Sequence, residues 1–388
     1  MDYFFNETQE EIRELAYRIA VEKIKPLRAE YDENGTFPWD VAKVLADADL
    51  FGCYIPEEYG GLGEGLLSGI IVAEQMARIC SGIALVFGGT LLGTYPIILY
   101  GNEEQKQKYL PKIARAESLS AFSITEAGSG SDATSIRTTA IPDGDHYVLN
   151  GTKQWVTNGG EAAIYTVVCI TDKSRGARSA TAFLIEDGAP GFSYGKKENK
   201  MGIRASATRE LVFEDCRVHK NQVLGKPGHG IRLAMNTFNM TRPVVAAQAV
   251  GLAQGALDEA LAYSLQREQF GNKIFNFQSI QNMLADMATS IESARLLLYH
   301  TCRLAEEGKV DVTKLSAMSK LLASDMCMKA TVDAVQIFGG YGYMKEYPVE
   351  KMFRDAKITQ IYEGTNQIQR LIIAKELQKE FNRNLKNV

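Results

Sequence analysis

A mainly α-helical protein with a central antiparallel β-domain is the fold class that the sequence predicts. Three observations predict it: helical periodicity in the first third of the chain, short β-branched and aromatic runs in the middle, and long apolar stripes at helical spacing in the last part. We therefore expect three domains in the order helical, β, helical. Their predicted bounds are 1–117, 118–228 and 229–388.

The N-terminal domain begins with a helix whose start is marked in the sequence. Thr8 is followed three residues later by Glu11, which is the pattern of a capping box. The next apolar residues share one helical face: Ile12, Leu15, Ala16 and Ile19. Turn-forming segments at 35–38, 56–61 and 101–102 divide the remaining helices. Glycines and Pro96 interrupt the long apolar stretch 83–100, so we expect a buried helix there and no membrane span.

The middle domain is predicted from four short runs with strand-like composition, at 146–149, 165–170, 181–185 and 211–213. Turn signals of the Asp-Gly and Asn-Gly type lie between them, at 143–145, 158–159 and 187–188. Short strands that are joined by such turns favour a small antiparallel sheet.

Two long helices are predicted in the C-terminal domain. The first carries an apolar stripe at alternating steps of four and three residues: Ile280, Leu284, Met287, Ile291, Ala294 and Leu298. This stripe implies packing against other long helices. The second predicted helix spans about 313 to 338 and carries these apolar residues: Leu315, Met318, Leu322, Val332, Val335 and Phe338.

Composition excludes several classes of protein. The 388 residues carry a net charge of -4 and 45% hydrophobic residues, which argues against a nucleic-acid partner and for a full hydrophobic core. Six cysteines without a C-x-x-C pair and only four histidines suggest neither a disulfide framework nor a metal site. The N-terminus has no signal-peptide or transit pattern, so we expect a cytoplasmic protein.

The most unusual segment is the small-residue loop 125–132, which follows the strand-like run 121–124. Backbone N–H groups and hydroxyls in such a loop can bind a polar ring or a phosphate, although a flexible turn is an equally good interpretation. The loop lacks the Lys-Ser/Thr of a P-loop. The region before it is helical, so the sequence does not predict a Rossmann domain.

Three further segments have simple structural interpretations when each is taken alone. Trp155 precedes a turn and is typical of a core aromatic residue with its N–H satisfied. The glycines of 336–342 suit the C-terminal cap of a long helix. Arg354 and Asp355 are most simply a surface or interdomain ion pair.

Glu363 stands between an aromatic residue and a glycine in a mostly apolar segment. Burial there would raise the pKa of its carboxyl toward a value that suits a general base. Without other information, a Glu before a Gly is more often a solvated loop residue.

Together, in this order and spacing, these segments resemble the acyl-CoA dehydrogenase family over essentially the whole chain. The likeness is greatest to its short- and medium-chain, butyryl-CoA dehydrogenase-like branch. The motifs that carry the resemblance are 124–126 with 128–132, 155–160, 200–202, Arg267 with 270–271, 336–342, 354–357 and 362–365.

The resemblance implies a helical N-domain, a β-barrel-like middle domain and a C-terminal four-helix bundle, assembled as a homotetramer built from dimers. It implies FAD as the cofactor, bound between domains and touching a second subunit. It also implies an acyl-CoA substrate, electron-transferring flavoprotein as the electron acceptor, and a role in fatty acid or carboxylic acid degradation.

The resemblance also assigns residues to the two ligands. The flavin would contact Phe122, Ile124, Thr125, Gly130, Ser131, Trp155, Thr157, Thr365 and Gln367. The pyrophosphate and adenosine would contact, from the neighbouring subunit, Arg267, Gln269, Phe270, Phe277, Gln278, Gln336, Gly339 and Gly340. The acyl-CoA would contact Ser131, Leu85, Gly88, Leu92, Tyr95, Asn239, Arg242, Tyr362 and Gly364.

In this family the catalytic base takes the α-proton of a thioester while the β-hydride leaves to N5 of FAD. The enolate is stabilised by hydrogen bonds to the carbonyl oxygen, from a ribityl hydroxyl and from the backbone N–H of the base residue. Family members carry the base at one of two positions. Here Glu363 occupies the first and Thr241, which cannot act as a base, occupies the second.

Two departures bear on the substrate. Asn239 stands where relatives usually have an aspartate that braces the CoA-contacting arginine, here Arg242. The predicted acyl wall is apolar and has no Arg or Lys for a second carboxylate: Leu85, Gly88, Gly89, Leu92 and Tyr95. A short- to medium-chain acyl group, with branched and cyclic groups left open, fits this wall.

Three other functions stay open on the sequence. The same fold serves acyl-CoA oxidases and monooxygenases, in which reduced flavin meets oxygen. The enzyme could also run toward enoyl-CoA reduction in vivo. A non-catalytic scaffold is a third alternative, against which the intact Glu363 speaks.

Overall fold

The computed structural model describes residues 3–308 and 311–386. The N-terminal part is helical, as predicted, and contains α1 (Glu7–Ile19), α2 (Arg28–Asn34), α3 (Trp39–Asp47), α4 (Gly65–Ile79), α5 (Ser81–Tyr100) and α6 (Glu103–Ala114). The capping box of α1 does not lie at Thr8 and Glu11. Gln9 N donates to Asn6 Oδ1 over 2.7 Å and Asn6 N donates to Gln9 Oε1 over 3.2 Å, so the helix begins one residue after Asn6.

Helix α5 is long and apolar enough to cross a membrane, but 83% of its most apolar window is buried inside the fold. It is the core helix that the interrupted sequence predicted. Its glycines let the backbone pack directly on other elements: a Cβ at Gly93 would lie 2.4 Å from Ala121 N. This close approach places α5 against the first strand of the sheet.

The middle part forms one sheet from β1 (Ser120–Ser123), β2 (Thr139–Asp143), β3 (His146–Thr157), β4 (Ile164–Ile170), β5 (Ala180–Glu186), β6 (Phe192–Tyr194), β7 (Thr208–His219) and β8 (Val223–Leu224). The strand order is β6-β7-β3-β2-β4-β5-β8, and β1 pairs with β4. The sheet is mostly antiparallel, as predicted, but it is mixed, because β1 and β4 are parallel and β2 meets β4 in parallel at one pair. The hairpin β2–β3 lies between β1 and β4 in the chain and provides the long connection that a parallel pair needs.

The C-terminal part contains α7 (Gly230–Gln266), the short hairpin β9 (Glu268–Gln269) and β10 (Asn272–Lys273), α8 (Gln278–Glu307), α9 (Thr313–Phe338), α10 (Pro348–Thr359) and α11 (Asn366–Lys386). The predicted bounds 313–338 of the second long helix are those of α9. Helices α8 and α9 pack against α7, and α9 also packs against α11. The domain bounds at 117/118 and 228/229 stay predictions.

The two helical regions meet where α7 crosses α4. A Cβ at Gly251 would lie 2.1 Å from Glu74 O, and one at Gly255 would lie 2.0 Å from Arg78 O. The two glycines therefore bring the backbones of α4 and α7 into direct contact. Because packed helices cannot approach this closely with a side chain between them, these positions fix the docking of the N-terminal helices on the C-terminal ones.

Candidate active site

Glu363 lies in the turn between α10 and α11, on a partly buried surface. Thr241 Oγ1, on α7, donates to Glu363 Oε2 over 2.9 Å. The turn is fixed through its carbonyls: Arg242 Nε donates to Glu363 O over 3.3 Å, and Gln369 Nε2 donates to the carbonyls of Glu363 and Gly364 over 3.1 and 2.8 Å. Donors from α7 and α11 therefore hold the carboxylate and its own backbone.

Burial raises the pKa of Glu363 to about 7, against the opposing effects of the Thr241 hydrogen bond and of the charges on Arg242 and Lys320. A carboxylate with this pKa is a stronger base than an ordinary glutamate and is still partly ionised at neutral pH. Among the residues that the structure describes, nothing accepts a hydrogen bond from the backbone N–H of Glu363. The turn thus offers a base and a hydrogen-bond donor side by side.

Arg242 connects this turn to the sheet. Its Nη1 donates to Asn239 Oδ1 over 3.1 Å, so the asparagine contacts the arginine although it replaces the usual aspartate. The guanidinium lies 5.9 Å from the centre of the Phe238 ring, which meets Phe122 edge to face at 5.4 Å. Burial lowers the pKa of Arg242 below its usual range, although Glu363 favours the charged form. The side chains of Arg242 and Phe238 therefore connect Glu363 with Phe122 of the sheet.

Helix α5 brings the predicted acyl wall between the base and the sheet. A Cβ at Gly88 would lie 3.4 Å from Val244 Cγ1, one turn of α7 beyond Thr241. A Cβ at Gly89 would lie 2.7 Å from Thr157 Cγ2, at the end of β3. The two adjacent glycines therefore link the helix that holds Glu363 with the strand that carries Thr157.

The strand β3 turns Trp155 outward. The pairing of β3 with β7 shifts register between Lys153 and Val156, and Trp155 has a φ of 61°. The indole is 58% exposed, so the interpretation as a core aromatic residue does not hold for this chain. An exposed tryptophan beside Thr157 offers a flat apolar surface with one N–H donor.

The loop 125–132 is fastened to β3 beside this tryptophan. Gln154 N donates to Thr125 O over 2.8 Å, and the buried Lys153 Nζ donates to Ile124 O over 3.1 Å and to Glu126 over 2.8 Å. Burial raises the pKa of Glu126, but the charge and hydrogen bond of Lys153 together with bonds from Thr138 outweigh it, so the net pKa is lowered. The loop and β3 therefore place Thr125 against Gln154, the residue before Trp155.

These residues fit a flavin. No atom of the described residues lies within 4 Å of a Cβ placed at Gly128 or Gly130, so the loop backbone faces open space. Among the described residues, nothing pairs with the buried Ser123 Oγ at the end of β1 or with the buried Asn158 Oδ1 after β3. The exposed indole and the open glycine backbone offer the flat apolar surface and the polar groups that a planar ring with polar edges requires.

A second cleft of about 490 Å³ lies at the other end of the C-terminal domain, and several of the predicted pyrophosphate and adenosine residues line it: Arg267, Gln269, Gly339 and Gly340. Arg267 also lies over the Tyr341 ring at 5.4 Å. Phe270, 92% exposed, meets Phe277 at 6.2 Å. Gln278 and Gln336 are exposed but do not line the cleft. A cationic, glycine-rich cleft with an exposed aromatic ring beside it suits a phosphate-bearing nucleotide.

The sequence matches the family models of acyl-CoA dehydrogenases along most of its length: the N-terminal domain over 6–117, the middle domain over 121–216 and the C-terminal domain over 228–378. The chain belongs to the acyl-CoA dehydrogenase family. It is therefore an oxidoreductase by family.

Individual members of the family resemble the chain over its full length. The short-chain-specific acyl-CoA dehydrogenase of Clostridium acetobutylicum is 44% identical over 375 residues, covering 96% of this chain and 99% of that protein. The solved butyryl-CoA dehydrogenase of Megasphaera elsdenii superimposes with a TM-score of 0.94 at 44% identity, covering 97% and 100% of the two chains. An acyl-CoA dehydrogenase of Bacillus anthracis, solved in complex with FAD, gives a TM-score of 0.92 at 36% identity and covers 98% of this chain and 68% of that one.

The remaining residues that the family resemblance singled out lie around Glu363 with different environments. The Tyr362 hydroxyl donates to Gln248 Oε1 inside the protein, and burial raises the pKa of the phenol. Thr365 Oγ1 accepts from Ile368 N over 3.3 Å at the start of α11, and Gln367 is exposed. Ser131 is exposed on the loop 125–132. Leu85 and Tyr95 are buried on α5, and Leu92 is partly buried.

Arg354 and Asp355 do not pair with each other, but Arg354 forms an ion pair between domains, with Asp32 of α2. It also pairs with Glu350, and Asp355 pairs with Lys351. Adjacent residues on a helix point in directions about 100° apart, so each of the two finds its own partner.

Three residues of this site could not be predicted as functional from the sequence: the buried lysines Lys153 and Lys320, and Thr241 as a hydrogen-bond donor to the base. Lys320 lies inside the apolar pattern of α9, and no local motif marks it. Thr241 and Glu363 are 122 residues apart, and only the packing of α7 brings them together.

Proposed function

We propose that this chain is an FAD-dependent acyl-CoA dehydrogenase that converts a short- to medium-chain acyl-CoA into the trans-2-enoyl-CoA, with Glu363 as the acceptor of the α-proton. The observation that carries the proposal is the arrangement at one turn. A carboxylate whose pKa is raised to about 7 stands beside an unpaired backbone N–H of the same residue.

The two groups of Glu363 have complementary tasks. Its backbone N–H donates to the thioester carbonyl oxygen, which withdraws charge from the α-carbon and makes the α-proton more acidic. Its carboxylate then accepts that proton, while the Thr241 hydroxyl holds Oε2 in place. FAD, when bound, supplies the acceptor for the hydride that leaves the β-carbon.

The residues that would hold FAD form two groups. Trp155, Thr157 and Thr125 with the open backbone of Gly130 would contact the flavin, together with Phe122, Ile124 and Ser131. The second cleft, with Arg267 and Gln269, would bind the pyrophosphate and adenosine of FAD in a neighbouring subunit. This division requires a homo-oligomer. A homotetramer, a cytoplasmic location and electron-transferring flavoprotein as electron acceptor complete the proposal.

The acyl group would lie along α5. The wall offers apolar side chains and two glycines. Because Gly88 has no Cβ, the space next to Val244 stays open. The wall itself holds no Arg or Lys, so a second carboxylate would be buried without a partner. A monocarboxylic acyl group of short to medium length therefore fits better than a dicarboxylic one.

An anaerobic screen of acyl-CoA thioesters tests the proposal. The purified protein, loaded with FAD, is mixed with straight, branched, cyclic and dicarboxylic acyl-CoAs, and bleaching of the flavin absorbance is followed. We expect butyryl- or hexanoyl-CoA to bleach the flavin fastest. The Glu363→Gln variant should bind FAD and acyl-CoA without bleaching, and a faster reaction with glutaryl-CoA would contradict the proposed substrate class.

Mixing the reduced enzyme with air separates a dehydrogenase from an oxidase. We expect slow reoxidation by oxygen while acyl-CoA product is bound, and fast reoxidation by a protein or dye that accepts electrons. Rapid reoxidation by oxygen alone would favour the oxidase.

A further inference from the structure

Lys320 is a buried lysine close to the proposed base. It lies in the first half of α9, and its side chain has no exposed surface. Its Nζ donates to Gly364 O over 3.0 Å and to Asn366 Oδ1 over 2.8 Å. Both acceptors are neutral, and no carboxylate of the described residues forms an ion pair with Lys320. A buried ammonium is expensive unless other charges or hydrogen bonds compensate it, so this residue requires an explanation.

We propose that Lys320 is a positioning residue for proton transfer, which fixes the turn 363–366 and through its charge keeps the Glu363 carboxylate ionised. The inference rests on the proposed function of Glu363. Lys320 does not contact substrate in this proposal. It acts on Glu363 through its hydrogen bonds to the turn and through its charge.

The geometric part follows from the conformation of the turn. Glu363 and Gly364 both have positive φ values, 53° and 90°. Such a conformation is unfavourable for a residue with a side chain and persists only where its surroundings impose it. Lys320 supplies a donor to the Gly364 carbonyl from α9, while Arg242 and Gln369 supply donors from α7 and α11. Three helices therefore hold two consecutive carbonyls, and no acceptor among the described residues pairs with the N–H of Glu363.

The electrostatic part follows from the charges around Lys320. Those that influence it are the carboxylate of Glu363 from the turn, the guanidinium of Arg242 from α7 and the carboxylate of Asp325 from its own helix. Burial lowers the pKa of Lys320 to about 7, and the two carboxylates oppose this. In the other direction, the charge of Lys320 lowers the pKa of Glu363.

Asp325 also favours the charged form of Lys320, but its carboxylate has donors of its own. Its carboxylate already accepts hydrogen bonds from Asn366 Nδ2 over 2.6 Å, Gln360 Nε2 over 2.7 Å and Arg370 Nη2 over 2.8 Å. Among the described residues, the charges that act on Lys320 are those of Glu363, Arg242 and Asp325. Elsewhere on α9, Thr301 of α8 meets Ser319 hydroxyl to hydroxyl, and the Lys351–Asp355 ion pair of α10 lies beside Cys327.

The sign of the effect is therefore defined. Without a positive charge at position 320, the ionised form of Glu363 loses a stabilising partner and holds its proton to higher pH. We expect the acid limb of the kcat/KM profile to move upward by about one pH unit. This shift corresponds to an about tenfold loss of kcat/KM near pH 6 and to less than about a twofold loss near pH 9.

Two substitutions separate the charge from the hydrogen bonds. Lys320→Met removes both, whereas Lys320→Gln removes the charge and keeps an N–H donor for Gly364 or Asn366. Both should move the acid limb upward, and only Lys320→Met should also lower kcat at every pH. Lys314→Met is the control: Lys314 lies on the same helix but pairs with Glu380 at the surface, so the limb should stay in place.

Steady-state kinetics from about pH 5 to about pH 9 on FAD-loaded protein measures the acid limb of kcat/KM. An infrared titration of the resting enzyme measures the protonation of the Glu363 carboxyl without turnover. The Glu363→Gln protein identifies the carboxyl band. If Lys320→Gln binds FAD normally and both its acid limb and its carboxyl titration match the wild type, the inference is wrong. If the wild-type flavin is not bleached by any acyl-CoA, the proposed function fails instead, and the infrared titration still tests the coupling of the two side chains.

Discussion

Thr241 donates its hydroxyl hydrogen to Oε2 of Glu363 over 2.9 Å and so joins the long helix α7 to the turn before α11. The bond stabilises the charged form of the carboxylate, because a hydroxyl donor is better paired with an anion than with a neutral acid. The residue that cannot itself act as a base therefore orients the one that can. Predictions about pH dependence follow from this pair.

Replacing Thr241 by Val should raise the pKa of Glu363. Valine has nearly the same shape and removes the hydrogen bond, which contributes on the order of 1 kcal/mol, or somewhat less than one pKa unit. We expect kcat/KM to fall several-fold below about pH 7 and to be nearly unchanged near pH 9. Thr289→Val, at an exposed threonine of α8 that bonds its own helix, is the control. Equal losses at all pH values would mean that Thr241 has only a structural role.

Replacing Glu363 by Gln should abolish turnover and leave the cofactor bound. Gln keeps the size and the acceptor for Thr241 but cannot take up a proton, so we expect a loss of about 10² to 10⁴-fold or more in kcat. The measurement is the rate of flavin bleaching by butyryl-CoA, with the FAD content determined from absorbance. A variant that retains a tenth of the wild-type rate would remove Glu363 from the role of base.

The same substitution should change the pH dependence of stability. The folded-state pKa of Glu363 is raised from 4.5 to about 7, so between these values the folded protein binds a proton that the unfolded chain releases. This contribution is fully present below about pH 4.5 and is lost as the pH rises through about 7. The Gln variant should therefore gain stability relative to wild type, on the order of 1 to 3 kcal/mol, between about pH 5 and pH 8. Denaturant unfolding at about pH 5 and about pH 8 measures the free energy of unfolding of both proteins. If the variant differs from the wild type by the same amount at both pH values, the prediction is wrong.

Replacing Gly88 by Leu should shorten the acyl group that the enzyme accepts. Even the Cβ would approach Val244 Cγ1 to 3.4 Å, and the rest of the side chain would fill the space along the wall. We expect kcat/KM for hexanoyl-CoA to fall at least about tenfold more than for butyryl-CoA, since one or two methylene groups decide fits of this kind. An equal loss for both substrates would place the acyl chain elsewhere.

Replacing Gly251 by Ala should destabilise the whole chain. The new Cβ would lie 2.1 Å from Glu74 O, so α4 and α7 would have to separate. Overpacking of this kind costs about 1 to 3 kcal/mol, and more where backbone is the obstacle. A drop of several degrees in Tm measured by calorimetry would be the result, whereas an unchanged Tm would show that the two helices can move apart freely.

Much of the fold was predictable because the decisive signals are local. The end of α9 follows from Gly339, whose φ of 62° ends the helix. The apolar residues predicted for this helix do not form its buried face: only Phe338 is buried, Leu322 and Val332 are exposed, and the buried face consists mostly of small residues. The stripe from Leu284 to Leu298 is buried on α8 as expected. The predicted N-cap of α1 was wrong by two residues. Asn6 with Gln9 and Thr8 with Glu11 are both acceptable capping pairs, and only the structure distinguishes them.

The rest depends on contacts between distant parts of the chain. The parallel pairing of β1 with β4 has no sequence signal, because each strand is a short apolar run of the same kind as its neighbours. Lys320 reaches the turn of Glu363 across 44 residues through Gly364, and Trp155 is outward because of a bulge that is set by pairing with β7. The hydrophobic periodicity and the composition of a segment do not show which distant segment it contacts.

The glycine pair on α5 has a consequence for how the enzyme could diversify. The base is anchored by α7, α9 and α11, whereas Gly88 and the neighbouring apolar positions belong to a helix that contributes no hydrogen bond to Glu363. If the acyl group lies along α5 as proposed, substitutions on this helix change which thioesters are accepted and leave the hydrogen bonds around Glu363 in place. In this proposal, substrate selectivity and proton transfer depend on different helices, so selectivity can change during evolution without loss of the catalytic residue.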